Sequence, residues 1–170
     1  NPTNGDLFAS LSASPNQWPL VVFFRAAMAY AEKHGDWDRL VKAFAANFEG
    51  KRGVRAKWGG RDMLNLEGML KVMEFTKDAS LLTDAKAMYA QSWEKRTFGK
   101  KKHIIQHGVS LSEALKLPVL LYLYTGEKAY LDQAKTAVEN VYEMDEQADG
   151  LFPATSTRRG AIRGRGTRRA

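Results

Sequence analysis

The sequence predicts an all-α fold in which repeated αα-hairpins form about half of an (α/α)6 toroid. Apolar residues recur at helical spacing along most of the chain, and no stretch shows the sustained alternation of a β-strand. With 170 residues, 44% hydrophobic and 26% charged, the chain has the size and composition of one globular domain. No apolar run approaches the roughly 20 residues that a membrane span needs, so we expect no membrane partner.

Six helices are predicted in order along the chain. Apolar residues on several faces of the first predict that it is largely buried, and Pro19 suits its first turn. The fifth contains Pro118, which should kink or divide it. Glycine-rich and basic stretches at 49–60 and 97–103 predict loops. The predicted helices cover 21–33, 37–48, 62–75, 80–95, 109–124 and 129–144.

Three turns of one formula indicate an internal repeat. In each, a short turn is followed by a leucine six residues after its first residue and by an alanine nine residues after it. We expect the acidic residue of each turn to cap the next helix, and the alanine to allow close helix packing with the leucine beside it. Any αα-hairpin can carry such a turn, but three in register indicate a solenoid or a toroid. The turns and their followers are His34-Gly35-Asp36 with Leu40 and Ala43, Thr76-Lys77-Asp78 with Leu82 and Ala85, and Thr125-Gly126-Glu127 with Leu131 and Ala134.

The charge is concentrated in the C-terminal residues. Residues 157–170 hold six arginines and no acid, and removing these from the net charge of +7 leaves about +1 for the rest. We therefore divide the chain into an N-terminal arm at 1–16, a helical domain at 17–152 and an irregular basic tail at 153–170. The tail resembles short Arg-Gly segments that bind RNA but lacks interleaved aromatic residues, so nucleic acid is an unfavoured partner.

The segments that lead into the odd-numbered helices carry the candidate binding residues. These segments are Gln17-Trp18-Pro19, Lys57-Trp58-Gly59-Gly60-Arg61-Asp62 and Gln106-His107-Gly108. In a toroid these leading segments gather at one end, where a ligand binds. Trp58 beside glycines, with Asp62 and His107, suits a sugar, because an indole face stacks on C–H groups while polar groups hydrogen-bond hydroxyls. The alternative is that the loop tryptophans plug the ends of a helical bundle. A neutral His107 at a helix start can accept a hydrogen bond from a hydroxyl, because the helix dipole disfavours its protonation, and the alternative is that it is a cap or surface group.

Catalytic and metal-binding patterns are weak. The chain has no cysteine, which excludes a thiol nucleophile and a thiolate zinc site, and its three histidines lack metal-ligand spacing. A glycosidase needs two suitably separated acids. Glu67 and Glu113 lie on predicted helices, but the sequence nominates no catalytic pair.

Several stretches between 18 and 152 together resemble glycoside hydrolase family 127, the β-L-arabinofuranosidase-like proteins. The most specific are His107-Gly108-Val109 with the following Pro118-containing helix, and Gly150-Leu151-Phe152. Gly59-Gly60-Arg61-Asp62 stands where the family commonly has Gly-Gly-Glu-Asn. Further matches are Trp18-Pro19, Tyr30-Ala31-Glu32-Lys33-His34-Gly35-Asp36 and Tyr124-Thr125-Gly126-Glu127.

The resemblance implies an (α/α)6 toroid that acts on terminal arabinofuranose-type sugars of glycans, with His107 and Asp62 at the sugar pocket. After Phe152 the chain departs from the family, which continues Ser-Gly-Asp-Glu-His and then supplies a zinc site and a nucleophilic cysteine. Pro153-Ala154-Thr155-Ser156-Thr157 is what one lost base in such a coding stretch produces, so we expect a frameshifted or disordered tail. The resemblance thus implies a hydrolase fragment without catalytic residues, cofactor or activity.

Two other functions stay open. One is a helical-repeat binding module with a basic, nucleic-acid-binding tail. The other is a different α/α-toroid glycosidase or lyase that uses acids such as Glu67 or Glu113. A partial toroid also leaves apolar sides of its first and last helices uncovered, which predicts self-association or low stability. The sequence does not indicate a cellular location.

Overall fold

All regular structure is helical in residues 17–96, 98–100 and 108–145, which are the residues described by the computed structural model. The all-α prediction is therefore confirmed for this part of the chain. The chain divides into two compact units, residues 1–92 and 93–170. The predicted arm at 1–16 and tail at 153–170 lie outside the described residues.

The observed helices follow the predicted order, with adjusted bounds. The third begins as a 3₁₀ turn at Asp62–Asn65 and becomes α-helical only at Leu66. The predicted fifth helix is divided, because Pro118 occupies the first turn of a new helix after a break at Lys116. The helices are α1 (Trp18–His34), α2 (Trp37–Gly50), α3 (Leu66–Thr76), α4 (Ala79–Arg96), α5 (Gly108–Leu115), α6 (Leu117–Thr125) and α7 (Lys128–Asp145), with a further 3₁₀ turn at Arg55–Lys57.

The three repeated turns share one backbone geometry. The middle residue of each is left-handed, with φ of 72° at Gly35, 59° at Lys77 and 69° at Gly126. In each turn the N–H of this residue donates to the carbonyl four residues earlier, at 2.7–2.8 Å. The helices α1, α3 and α6 therefore end in the same αL motif.

The acidic residues of these turns do not behave alike. Asp78 accepts the N–H of Ser80 at 3.0 Å and so caps the start of α4 as predicted. Asp36 makes no side-chain cap on α2, and the capping prediction is wrong there. The repeated alanines Ala85 and Ala134 are buried, whereas Ala43 and all three leucines are half-buried.

In the first unit, α1 and α3 run parallel and α2 runs antiparallel to both. Arg25 near the middle of α1 pairs with Glu67 at the start of α3. Gly68 on α3 lies against the Phe48 ring at the end of α2, and a Cβ there would come within 3.4 Å of that ring. Within this unit, the first and third helices thus point the same way.

The core of the first unit lies between these helices, but α1 is only partly buried. Its Phe24 packs edge-on against Phe44 of α2, with ring centroids 4.8 Å apart. Phe23 and Tyr30, in contrast, are 48% and 58% exposed. The prediction that the first helix is largely buried is therefore wrong, because no described element covers its outer face.

The loop after α2 is fixed by a fully buried arginine. Arg55 donates to the Asp84 carboxylate, to Ser80 Oγ at 2.7 Å and to the Phe48 carbonyl at 2.8 Å. Three acceptors satisfy its guanidinium, which makes the burial of this charge tolerable. The basic, glycine-rich loop is therefore tied to the N-terminal half of α4.

In the second unit, α6 and α7 form a hairpin with α5 packed on both. The segment after α4 is anchored to this hairpin, because Asn140 of α7 donates to the Phe98 carbonyl at 2.8 Å. The Trp93 ring packs beside Phe98 and against Gly99, where a Cβ would approach the indole to 3.0 Å. The buried apolar residues of the second unit include Leu111, Ala114, Leu117, Leu121, Ala137 and Val141.

Candidate functional site

The leading segments of α1 and α3 meet at one end of the first unit. The Asp62 carboxylate accepts the backbone N–H of Gln17 at 3.0 Å, across 45 positions of the chain. Asn65 Nδ2 donates to the Gln17 carbonyl at 2.9 Å and to the Asp62 carbonyl at 2.9 Å. Gln17 and Asn65 are both buried. This polar cluster fixes the starts of two parallel helices side by side.

The electrostatic setting of Asp62 follows from this position. Burial raises the pKa of its carboxyl group, and hydrogen bonds from the backbone N–H groups of Gln17 and Trp18 oppose the rise. A carboxylate at the start of α1 also interacts favourably with the positive end of the helix dipole. Asp62 therefore serves the backbone of α1 directly.

The aromatic ring at this end of the unit belongs to Trp18. The Arg61 guanidinium lies over the Trp18 indole, 5.5 Å from its centroid. Trp18 is half-buried and Arg61 is exposed. The pair joins the same two leading segments as the Asp62 cluster, and it presents an indole and a guanidinium donor at the surface.

Trp58, the tryptophan predicted to contact sugar, is buried. It is 7% exposed, and its indole lies 6.4 Å from the Phe48 ring. The loop that precedes Trp58 is held in place by the hydrogen bonds of Arg55 to Asp84 and to the Phe48 carbonyl. This burial favours the alternative interpretation of Trp58 as a plug at the end of the helices.

His107, the third predicted site residue, lies outside the described residues. The described chain resumes at Gly108, the first residue of α5, which belongs to the second unit. The structure brings Asp62 together with Trp18 and Gln17, and it leaves the predicted role of His107 as a prediction.

The two acids considered for catalysis are both held in ion pairs. Glu67 Oε2 accepts from Arg25 Nη2 at 2.9 Å and from Arg25 Nε at 3.1 Å. Glu113 Oε2 lies 3.0 Å from Lys116 Nζ, one helical turn further along. Each of these glutamates therefore already has a cationic partner within the chain.

The first unit also has a groove between α1 and α2. This groove has a volume of about 460 Å³ and is lined mainly by apolar side chains. Its walls include Phe23, Tyr30 and Leu40, and the charged side chains among its lining are Asp36 and Arg39.

The described residues include neither a metal-ligand group nor a membrane-spanning helix. Within 17–96, 98–100 and 108–145, no group of three or more histidine or acidic residues could hold a metal ion. The same part of the chain includes no helix that combines the length and the apolarity of a membrane span.

Sequence reasoning placed Trp18, Arg61 and Asp62 in leading segments but missed which of them would meet. The pairing of Arg61 with Trp18 and the roles of Gln17 and Asn65 depend on the parallel arrangement of α1 and α3. The available signal was the shared position of Gln17-Trp18-Pro19 and Arg61-Asp62 just before two alternate helices.

Comparisons with protein-family models, with curated proteins and with solved structures gave no match to this chain.

Proposed function

We propose that this chain is part of a carbohydrate-active α/α hydrolase of the β-L-arabinofuranosidase-like type, and that it binds arabinofuranose-type sugars without cleaving them. The main support is the junction of the leading segments of α1 and α3 through Asp62 and Gln17. In helical-hairpin folds such a junction collects loop side chains from alternate helices at one end, where a ligand can contact several of them.

Trp18 and Arg61 are the residues that we assign to sugar contact at this end. A furanose ring carries C–H groups that pack on an indole, and its hydroxyls accept hydrogen bonds from a guanidinium. The Arg61 guanidinium lies over the Trp18 ring, 5.5 Å from its centroid, so a sugar that stacks on this face displaces the guanidinium, which can then donate to the sugar hydroxyls. Asp62 positions them through the backbone of Gln17, and we retain His107 as a further proposed contact from the leading segment of α5.

The proposed lack of sugar cleavage rests on the two glutamates considered as catalytic acids and on the missing cysteine. Hydrolysis of a glycosidic bond requires a proton donor and a nucleophile or base on opposite sides of the bond. Glu67 and Glu113 are engaged with Arg25 and Lys116, and the chain contains no cysteine. We therefore assign no catalytic residue.

Calorimetric titration and a release assay test the two parts of this proposal. We expect methyl L-arabinofuranoside to bind weakly and saturably, and 4-nitrophenyl L-arabinofuranoside to release no nitrophenol above the protein-free rate. Trp18→Ala should abolish binding. The matched control is Trp37→Ala, because Trp37 also lies under a cation, Lys71 at 5.6 Å, but at the start of α2, beyond the far end of α1. Turnover would contradict the proposed inactivity, and absence of binding would contradict the sugar site.

The alternative is a helical-repeat binding module with a basic, nucleic-acid-binding tail. The observation that favours a binding module is the open apolar groove between α1 and α2. This alternative predicts RNA binding that weakens steeply with salt and is lost when residues 157–170 are deleted. The hydrolase-fragment proposal predicts that this deletion changes sugar binding little.

A further inference from the structure

We propose that the groove between α1 and α2 is a homodimer interface, on which the same groove of a second copy of this chain packs. The proposal is independent of sugar binding. It follows from three properties of the groove: the apolar character of α1, the mixture of large and small side chains in the lining and the opposite signs of its two charges.

Helix α1 has the composition of a covered helix and an exposed outer face. Residues 18–31 include a single charged side chain, Arg25, which is engaged with Glu67. A helix that is apolar on every side is normally buried. Nevertheless Val22 is 56% exposed, Phe23 48% and Tyr30 58%. The sequence of α1 is thus matched to a partner surface.

The lining of the groove combines large and small side chains. It includes the exposed aromatic residues Phe23 and Tyr30 as well as Ala26, Ala27 and Ala43. A two-fold interface places one patch against an identical patch, so the patch must hold both the projecting and the receiving residues. The aromatic side chains of one copy can therefore occupy the alanine-lined positions of the other.

The two charges of the lining also fit a two-fold contact. Asp36 and Arg39 carry opposite charges, and among the residues that the structure describes neither is in an ion pair. In an isologous contact, Asp36 of one copy can meet Arg39 of the second copy, and the reverse pair forms by symmetry. A dimer therefore supplies a counter-ion to each.

The size of the patch sets the expected strength. About half of each exposed aromatic side chain remains to be covered, roughly 100 Å² apiece. With the rest of the groove this places the contact at the small end of specific interfaces. We therefore infer a weak dimer whose population depends on protein concentration.

Sedimentation equilibrium of the full chain over a range of concentrations tests the proposal. We expect a monomer–dimer equilibrium, and we expect Ala26→Arg to raise the dimer Kd by about tenfold or more by filling the groove with a charged side chain. Arginine is a good helix former and Ala26 is exposed, so this variant should fold, as circular dichroism can verify. The matched control is Leu123→Arg, at a 69% exposed position on α6, which should leave Kd unchanged.

Charge reversal gives a second test. Asp36→Lys and Arg39→Glu should each raise the dimer Kd, and the double variant should restore it towards the wild-type value. A chain that stays monomeric at every concentration would overturn the proposal. A dimer that persists in Ala26→Arg, or one that is lost in Leu123→Arg, would overturn it as well.

Discussion

The carboxylate of Asp62 accepts the backbone N–H of Gln17 at 3.0 Å and so links the starts of α1 and α3. The acceptor for the first turn of α1 therefore comes from a different element, 45 residues later in the chain. The side chain of Gln17 makes no cap hydrogen bond to the helix. This single contact couples the end of a helix to the packing of two helices.

Removal of the Asp62 carboxylate should destabilise the first unit. Asp62→Ala leaves the N–H groups at the start of α1 without their acceptor, which we expect to lower the free energy of unfolding by about 1–2 kcal/mol. Asp62→Asn keeps an acceptor oxygen and should lose less. Urea unfolding at pH 7 measures both. Equal losses in the two variants would show that the hydrogen bond does not contribute.

The raised pKa of Asp62 predicts a specific pH dependence of stability. An unfolded aspartate titrates near 3.9, so between this value and the higher native pKa the native protein binds more protons than the unfolded chain. The part of the free energy of unfolding that depends on protonation of Asp62 is therefore full below about pH 3.9 and is lost as pH rises through the native pKa, whereas the ionised carboxylate still accepts the Gln17 N–H. Relative to the wild type, Asp62→Asn should gain stability as pH rises across this window.

Asp78 supplies the opposite control. Its hydrogen bonds with Ser80, followed by the nearby Arg52 charge, lower its pKa. Its stabilising contribution is therefore present above about pH 3.9 and is lost as pH falls through the native pKa. Asp78→Asn should lose stability, relative to the wild type, as pH rises. Parallel pH profiles for Asp62→Asn and Asp78→Asn would contradict the opposite shifts.

Lys77 is the one left-handed residue of the three repeated turns that is not glycine, and its replacement by glycine should increase stability. Its φ of 59° lies in the left-handed region, where a Cβ is unfavourable and glycine is not. We expect Lys77→Gly to raise the free energy of unfolding by about 0.5–1 kcal/mol. Gly35→Ala and Gly126→Ala, at the equivalent positions, should each lower it by about 1 kcal/mol. Thermal unfolding of the three variants checks the shared geometry, and a destabilised Lys77→Gly would refute it.

The buried Arg55 should be the costliest charge to remove. Arg55→Met leaves the Asp84 carboxylate and the Ser80 hydroxyl without their donor, and we expect a loss of about 3 kcal/mol. Arg52→Ala is the control, because its pair with Glu49 is exposed to solvent and its loss should change stability far less than the loss of Arg55. Denaturant unfolding distinguishes them, and similar losses would contradict the assigned burial.

The features predicted from sequence were those fixed by local chemistry. The three turns, Pro19 at the start of α1 and the break before Pro118 follow from the backbone preferences of glycine and proline. Lys77 shows the limit, because its left-handed conformation was visible only as a match to the positions of Gly35 and Gly126. These are properties that short stretches of sequence determine by themselves.

The features that sequence reasoning missed depend on tertiary packing. Arg55 stands in a basic, glycine-rich loop typical of a solvated segment, yet Asp84 and Phe48 bury it. Trp58 was likewise predicted to be accessible to a sugar. It is buried instead, with its indole beside the Phe48 ring. Conversely, the apolar sequence of α1 predicted a buried helix. The structure shows that Val22, Phe23 and Tyr30 of this helix are exposed.

The most direct test of the sugar-binding account is the set of indole N–H signals in a ¹H–¹⁵N NMR titration. The chain has four tryptophans, each with its own signal. Trp18 begins α1, a helix of about 25 Å, and Trp37 begins α2 just beyond the far end of α1. With methyl L-arabinofuranoside we expect the Trp18 signal to shift saturably while the Trp37 signal stays in place. An unchanged Trp18 signal, or equal shifts at Trp18 and Trp37, would contradict a sugar site at the junction of α1 and α3.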